Sequence, residues 1–215
     1  MVKLFGIFFI TFLLSIAAWS FRPFILHSGQ SRVPFVEFYT PQDCPTCAAP
    51  QDWLTALKGH GLWKKEVPIT ILMDGPLSKA EFTPKGQKLT TLPGFFLNGE
   101  EWQWNTDSKV PDEKETAGEL DVARAKLEEF EITFKTKKSL TDPQVTAALL
   151  GNGMPQNFVV LESASKSLRK SGDSWTTHIK LSMKKNESAK SYSAAFWVED
   201  GGKILQATGG DLSLN

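Results

Sequence analysis

Cys44 and Cys47 are the only cysteines of a 215-residue chain, with Pro45 and Thr46 between them. A disulfide within the chain can therefore join only this pair. The chemistry open to such a pair is thiol–disulfide exchange: a thiolate attacks a disulfide, a mixed disulfide forms, and the neighbouring cysteine resolves it. The spacing predicts that Cys44 opens a helix, with Pro45 at its first position. Unpaired backbone N–H groups and the helix dipole favour a thiolate there. Cys44 is then the attacking residue and Cys47, one turn on, the resolving one. Asp43 opposes the activation, since one negative charge disfavours a second beside it. The competing reading is a structural bridge that pins the helix start. Over so short a loop, such a bridge contributes little chain entropy to stability.

Other residues could serve that chemistry or stand apart from it. Glu37 is a carboxylate inside an otherwise apolar strand, 33–39. Buried, it would hold a raised pKa and could trade protons; at a sheet rim it would simply face water. Trp102 and Trp104 alternate with Gln103 on a returning strand, so they share one face and, if exposed, make a binding ledge. Potential metal ligands are sparse: two cysteines and three histidines, His27, His60 and His178. A structural zinc site using both cysteines would need two further ligands. The expectation is no metal and no cofactor beyond the cysteine pair.

The elements that hold these residues read as follows. An apolar strand over 33–39 leads into the turn 40–43 and the helix from Cys44, which Gly59 and Gly61 end. A second buried strand spans 67–73, a short helix 79–89, and a third strand 93–97. Asn98-Gly99 is a strong hairpin signal, with the return over 100–104. Leu120, Ala123, Leu127 and Phe130 fall at helical spacing and predict a helix over 119–130. The order is α/β, so the expected fold is an α/β domain over 33–130. A small antiparallel β-rich module over 131–215 follows, with strands at 131–135, 158–161, 175–184, 192–199 and 203–208 and a helix over 141–150.

The segment Val36-Glu37-Phe38-Tyr39-Thr40-Pro41-Gln42-Asp43-Cys44-Pro45-Thr46-Cys47 resembles the opening of a secreted thioredoxin-like family of unknown function (domain of unknown function 1223). Phe82-Thr83-Pro84, Leu92-Pro93 and Asn98-Gly99 are similar to its later segments, and Phe196-Trp197-Val198-Glu199-Asp200 to its closing hairpin. The chain departs from the family after the second strand, where Met73-Asp74-Gly75 replaces a His-Val-Asp-Tyr-Trp stretch. The resemblance implies a thioredoxin-like α/β domain. It also implies that Pro93 is a cis-proline beside the cysteines, its preceding residue binding the partner chain, and that Glu37 moves protons to and from the buried cysteine.

Charge and the N-terminus set the compartment and partners. With 24 basic and 24 acidic residues the chain is neutral, which gives no basic footprint for nucleic acid. Lys3 precedes an uncharged apolar run over 4–19, with small residues at Ala17, Ala18 and Ser20. Residues 1–20 read as a cleaved signal peptide or as an uncleaved membrane anchor, and 21–32 as a tether. Either reading exports the chain, to the periplasm or beyond, where disulfides persist. The expected function is an exported thiol–disulfide oxidoreductase. Its partners are a thiol- or disulfide-bearing protein substrate and a redox partner that recycles the pair. The alternative is a non-catalytic envelope binding or assembly module with a structural disulfide.

Overall fold

The computed structural model describes residues 24–57, 63–79 and 91–214. The expected leader at 1–20, the short helix at 79–89, the end of the first helix at Gly59 and Gly61, and His60 lie wholly or almost wholly outside them. Among the described residues no helix is long and apolar enough to cross a membrane.

The strands are β1 (Ile25–His27), β2 (Phe35–Thr40), β3 (Val67–Leu72), β4 (Gly94–Leu97), β5 (Glu100–Trp102), β6 (Glu119–Lys126), β7 (Glu129–Lys135), β8 (Gln144–Asn152), β9 (Val159–Ser167), β10 (Arg169–Ser171), β11 (Ser174–Lys180), β12 (Ser191–Asp200) and β13 (Lys203–Leu212). Among the described residues one helix, α1 (Ala48–Ala56), stands with them. Eight strands form one sheet in the order β13-β12-β8-β9-β3-β2-β4-β5, and five form a second in the order β1-β6-β7-β11-β10. In the larger sheet β2 pairs β3 in parallel and β4 antiparallel.

The eight-stranded sheet curls on itself. Phe35 of β2 and Trp197 of β12 are separated by three strands in the sheet order, yet their rings meet at 4.6 Å. The concave face is filled by Phe35, Tyr39, Ile69, Ile71, Leu150, Val160 and Trp197. The opposite face is covered at one end by the second sheet, through Leu120, Ile132, Leu149 and Phe196. At the other end α1 covers it, packing Leu54 and Leu57 on Val36, Phe38 and Phe95. Strand periodicity makes this work: odd residues of β2 face the concave core and even residues face the helix.

The expected α/β thioredoxin-like domain is not what the chain forms: the described residues are predominantly β, with a single helix of nine residues. The segment 119–130, expected as a helix, is β6 and the start of β7. Leu120 and Val122, then Phe130, Ile132 and Phe134, alternate into the core, while Leu127 is 57% exposed at the hairpin turn. The segment 141–150, also expected as a helix, is mostly β8. Its apolar run is buried on both faces, Ala147 and Leu149 against the second sheet and Ala148 and Leu150 in the concave core. A continuous apolar run of this length fits a doubly covered strand as well as a helix. The expected boundary at residues 130 and 131 falls inside β7, and both halves of the chain contribute strands to the eight-stranded sheet.

Candidate functional site

β2 delivers the chain to the site. After Thr40 a turn carries residues 41–46, and α1 begins only at Ala48 with Cys47 as its N-cap. The helix was expected from Cys44 with Pro45 first; instead Pro50 occupies the first turn, where a missing N–H costs nothing. Cys47 N–H donates weakly to the Cys44 carbonyl (3.4 Å), and Gln51 N–H closes the first helical bond on Cys47 (3.0 Å). The helix terminus thus addresses Cys47 more directly than Cys44.

Cys44 and Cys47 form a disulfide, with an S–S distance of 2.01 Å and a Cα–Cα distance of 5.4 Å. The two sulfurs live in different surroundings. Cys44 is half-exposed, with the Thr46 hydroxyl 3.6 Å from its Sγ. Cys47 is 3% exposed and packs with Val36, Phe38, Leu54 and Phe95. Thr40, itself fully buried, places its Oγ1 3.1 Å from Cys47 Sγ. The disulfide sulfur has no proton, so the hydroxyl is the donor, sharing its hydrogen with the Pro41 carbonyl at 3.0 Å.

A loop from the far half of the sequence straps this turn in place. Gln156, between β8 and β9, donates from Nε2 to the carbonyls of Pro41 (3.2 Å) and Gln42 (3.1 Å). Asn157 donates from its backbone to Gln51 Oε1 (3.2 Å) and from Nδ2 to Thr55 Oγ1 (2.9 Å) on α1. Asp74, after β3, accepts the Gln42 N–H at 2.5 Å. These bonds hold the turn without any contribution from the cysteines.

Beside the pair lies a cleft of about 400 Å³ that Thr46, Ala49 and Pro50 border on one side. Pro93, Phe95, Glu101, Trp102, Gln103 and Trp104 border it on the other. The Leu92–Pro93 bond is cis, and Pro93 shares the cleft with Thr46 of the cysteine turn. The aromatic wall is interlocked: Phe95 stacks on Trp104 (5.2 Å) and on Phe38 (4.6 Å), and Trp53 meets Trp102 at 5.6 Å. Trp53 is anchored by its Nε1–H donating to the Ser108 carbonyl at 2.9 Å. The Trp102–Trp104 ledge expected from sequence is thus half-buried and forms one side of the cleft.

Glu37 stands elsewhere. It shares the concave face of β2 with Phe35 and Tyr39, whereas Cys47 packs on the face of Val36 and Phe38. The Tyr39 hydroxyl donates to Glu37 Oε1 at 2.9 Å, and Oε2 accepts no hydrogen bond. Burial pushes the Glu37 carboxyl up to about 7, with the Glu199 charge adding to the rise and the bonds from Tyr39 and the Gly99 backbone opposing it. Burial and the neighbouring carboxylate also push the Tyr39 phenol up. The carboxyl is buried, one of the two placements its sequence position left open, and the strand backbone separates it from the cysteines.

Of the residues singled out in sequence, the structure therefore brings together Cys44, Cys47, Pro93, Trp102 and Trp104, and sets Glu37 apart. Thr40, Gln156 and Asn157 were not foreseen. Strand parity carried a signal for Thr40: even residues of β2 share a face, so whatever packed on Val36 and Phe38 would meet its hydroxyl. Nothing local distinguishes Gln156 from any other loop glutamine. Among the described residues no three His, Cys, Asp or Glu side chains gather as a metal site would require.

No protein-family model and no curated protein matches the sequence. In solved structures the chain is similar to HBP35 of Porphyromonas gingivalis, with a TM-score of 0.59 and 13% identity, over 86% of this chain and 76% of that one. It is also similar to a protein of Agrobacterium tumefaciens, with a TM-score of 0.56 and 16% identity, over 86% of this chain and 96% of that one. At such identities the likeness concerns the fold alone.

Proposed function

We propose that the protein is an exported thiol–disulfide oxidoreductase acting through Cys44 and Cys47. The observation that carries this reading is the asymmetry of the pair. Cys44, a partly exposed residue, is bonded to Cys47, a residue 3% exposed whose sulfur sits 3.1 Å from the Thr40 hydroxyl. Exchange needs an accessible sulfur to attack or be attacked, and a leaving thiolate that is stabilised. Cys44 meets the first need, and the Thr40 hydroxyl at Cys47 meets the second.

Exchange from the oxidised pair runs in two displacements. A substrate thiolate attacks Cys44 Sγ; the new sulfur–sulfur bond forms as the Cys44–Cys47 bond breaks, and Cys47 leaves as a thiolate held by Thr40. A second substrate thiolate then attacks the substrate sulfur of the mixed disulfide and expels Cys44. The substrate has lost two electrons and gained a disulfide, and the pair is reduced. The reverse sequence reduces a substrate disulfide. Either direction requires a second dithiol or disulfide protein to reset the pair. Export is supported by Lys3 and the uncharged run 4–19, and it places the pair where disulfides persist.

The test is trapping with Cys47→Ser in the full chain, expressed in its native compartment. Accumulated mixed disulfides through Cys44 are expected, and Cys44→Ser is expected to accumulate none. A Cys44→Ser variant that still exchanges disulfides would overturn the assignment.

A further inference from the structure

We infer that the cleft beside the cysteine pair receives an arginine or lysine side chain from the same segment that carries the substrate's cysteine. The inference deepens the exchange reading above and rests on it. Its first support is the charge of the two chain segments that build the site. Residues 41–57 and 91–108 carry Asp43, Asp52, Glu100, Glu101 and Asp107, and neither segment holds a Lys, Arg or His. In a chain whose 24 basic and 24 acidic residues balance, these two segments are acidic, with Lys58 and Lys109 directly after them. Opposite charge on a partner speeds encounter and fixes its register.

The cleft itself supplies the second support. Its wall is formed by Phe95, Trp102 and Trp104, and among the described residues Glu101 is the one charged residue that borders it. The faces of indole and phenyl rings are electron-rich and attract a guanidinium or ammonium laid against them, tryptophan most strongly. A carboxylate beside such a wall discriminates further, against anionic side chains and for cationic ones. The wall is also preformed: Trp53, anchored on the Ser108 carbonyl, meets Trp102 at 5.6 Å and Trp104 at 6.0 Å. A rigid wall loses little side-chain freedom when a ligand arrives. Thr46 borders the cleft and lies 3.6 Å from Cys44 Sγ through its hydroxyl, so a side chain seated there lies within a residue or two of a cysteine joined to Cys44.

The experiment uses the reduced full chain and four peptides of identical backbone, each carrying one cysteine as a mixed disulfide with a small neutral thiol. The residues flanking that cysteine are Arg, Ala, Glu or Phe. The rate of attack by Cys44 is expected to be about tenfold higher for the Arg peptide than for Ala, with Glu the slowest, a preference of the size that an aromatic wall and a nearby carboxylate supply. In Glu101→Lys the Arg-to-Ala ratio is expected to fall towards one, and in Trp102→Leu to fall even at high salt, where long-range attraction is screened. Equal rates for Arg, Ala and Glu, an Arg preference untouched by both variants, or Phe as the fastest peptide would each overturn the inference while leaving exchange intact. Failure of every peptide, and of a small neutral disulfide, removes the exchange reading itself and the inference with it.

Discussion

Thr40 Oγ1 lies 3.1 Å from Cys47 Sγ, on the face of β2 opposite to Glu37. The partner of the buried sulfur is thus a hydroxyl, and the Glu37 carboxyl, three strand positions before it, belongs to a different core. A hydroxyl stabilises a leaving thiolate by hydrogen bonding and does not deprotonate the thiol form. A carboxylate there would have acted as a base on that thiol.

Removing that hydroxyl should therefore move the redox poise. A hydrogen bond to a thiolate is stronger than one to a disulfide sulfur, so Thr40 favours the reduced pair. Thr40→Val keeps the shape and is expected to make the reduction potential more negative by about 20 mV, the equivalent of one hydrogen bond of about 1 kcal/mol. A glutathione titration of both proteins checks this. An unchanged or less negative potential would remove Thr40 from the mechanism.

Accessibility fixes which sulfur reacts first. In the reduced protein a thiol reagent near neutral pH is expected to label Cys44 at least about tenfold faster than Cys47, since the buried thiol is shielded by Val36, Phe38, Leu54 and Phe95. Mass mapping of the labelled chain at short times reads the ratio. Equal labelling would mean that the pair opens on reduction and that the attacking and resolving roles are not assigned by burial.

Glu37 gives the stability a definite pH dependence. Its carboxyl titrates near 4.5 when unfolded and is pushed up to about 7 in the fold. Below 4.5 both states hold the proton and its burial costs nothing extra. Above 4.5 the unfolded chain releases the proton first, so stability falls as pH rises, until the folded carboxyl also ionises near 7. The accumulated loss by pH 8 is on the order of 3 kcal/mol. Urea unfolding at pH 5 and pH 8 should show this loss in the wild type and much less of it in Glu37→Gln. Because Glu37 faces away from the cysteines, the same variant is expected to release a trapped mixed disulfide at the wild-type rate.

The strap from the second half of the chain is testable through Gln156. Its Nε2 satisfies two carbonyls, those of Pro41 and Gln42, and the side chain is 7% exposed. Gln156→Glu keeps the shape but sets a carboxylate oxygen against those carbonyls. A loss of roughly 2 kcal/mol in unfolding free energy is expected, the cost of unpaired buried polar groups. A variant as stable as the wild type would show that the turn is held without the strap.

Much of the site was legible in the sequence because strand signals are local. The strands at 35–40, 67–72, 94–97 and 100–102 fall within the apolar runs and the Asn98-Gly99 turn that announced them. The cysteine pair needed no structure to be noticed. The helices expected over 119–130 and 141–150 were not there, for two different reasons. In the first, a chance match at Leu120, Ala123, Leu127 and Phe130 outweighed the alternation of Leu120 with Val122 and of Phe130 with Ile132. In the second, Ala147-Ala148-Leu149-Leu150 favours a helix by itself, and only the covering of both sheet faces makes it a strand. Glu37 was misplaced relative to the cysteines because no sequence pattern states which face of β2 receives α1.

The reduction potential of the Cys44–Cys47 pair in the full chain, titrated against glutathione, separates an exchanging disulfide from a structural one. Exchange predicts a value within the range of about −270 to −120 mV that working exchangers span. A value below about −300 mV, the region of structural disulfides, would contradict it.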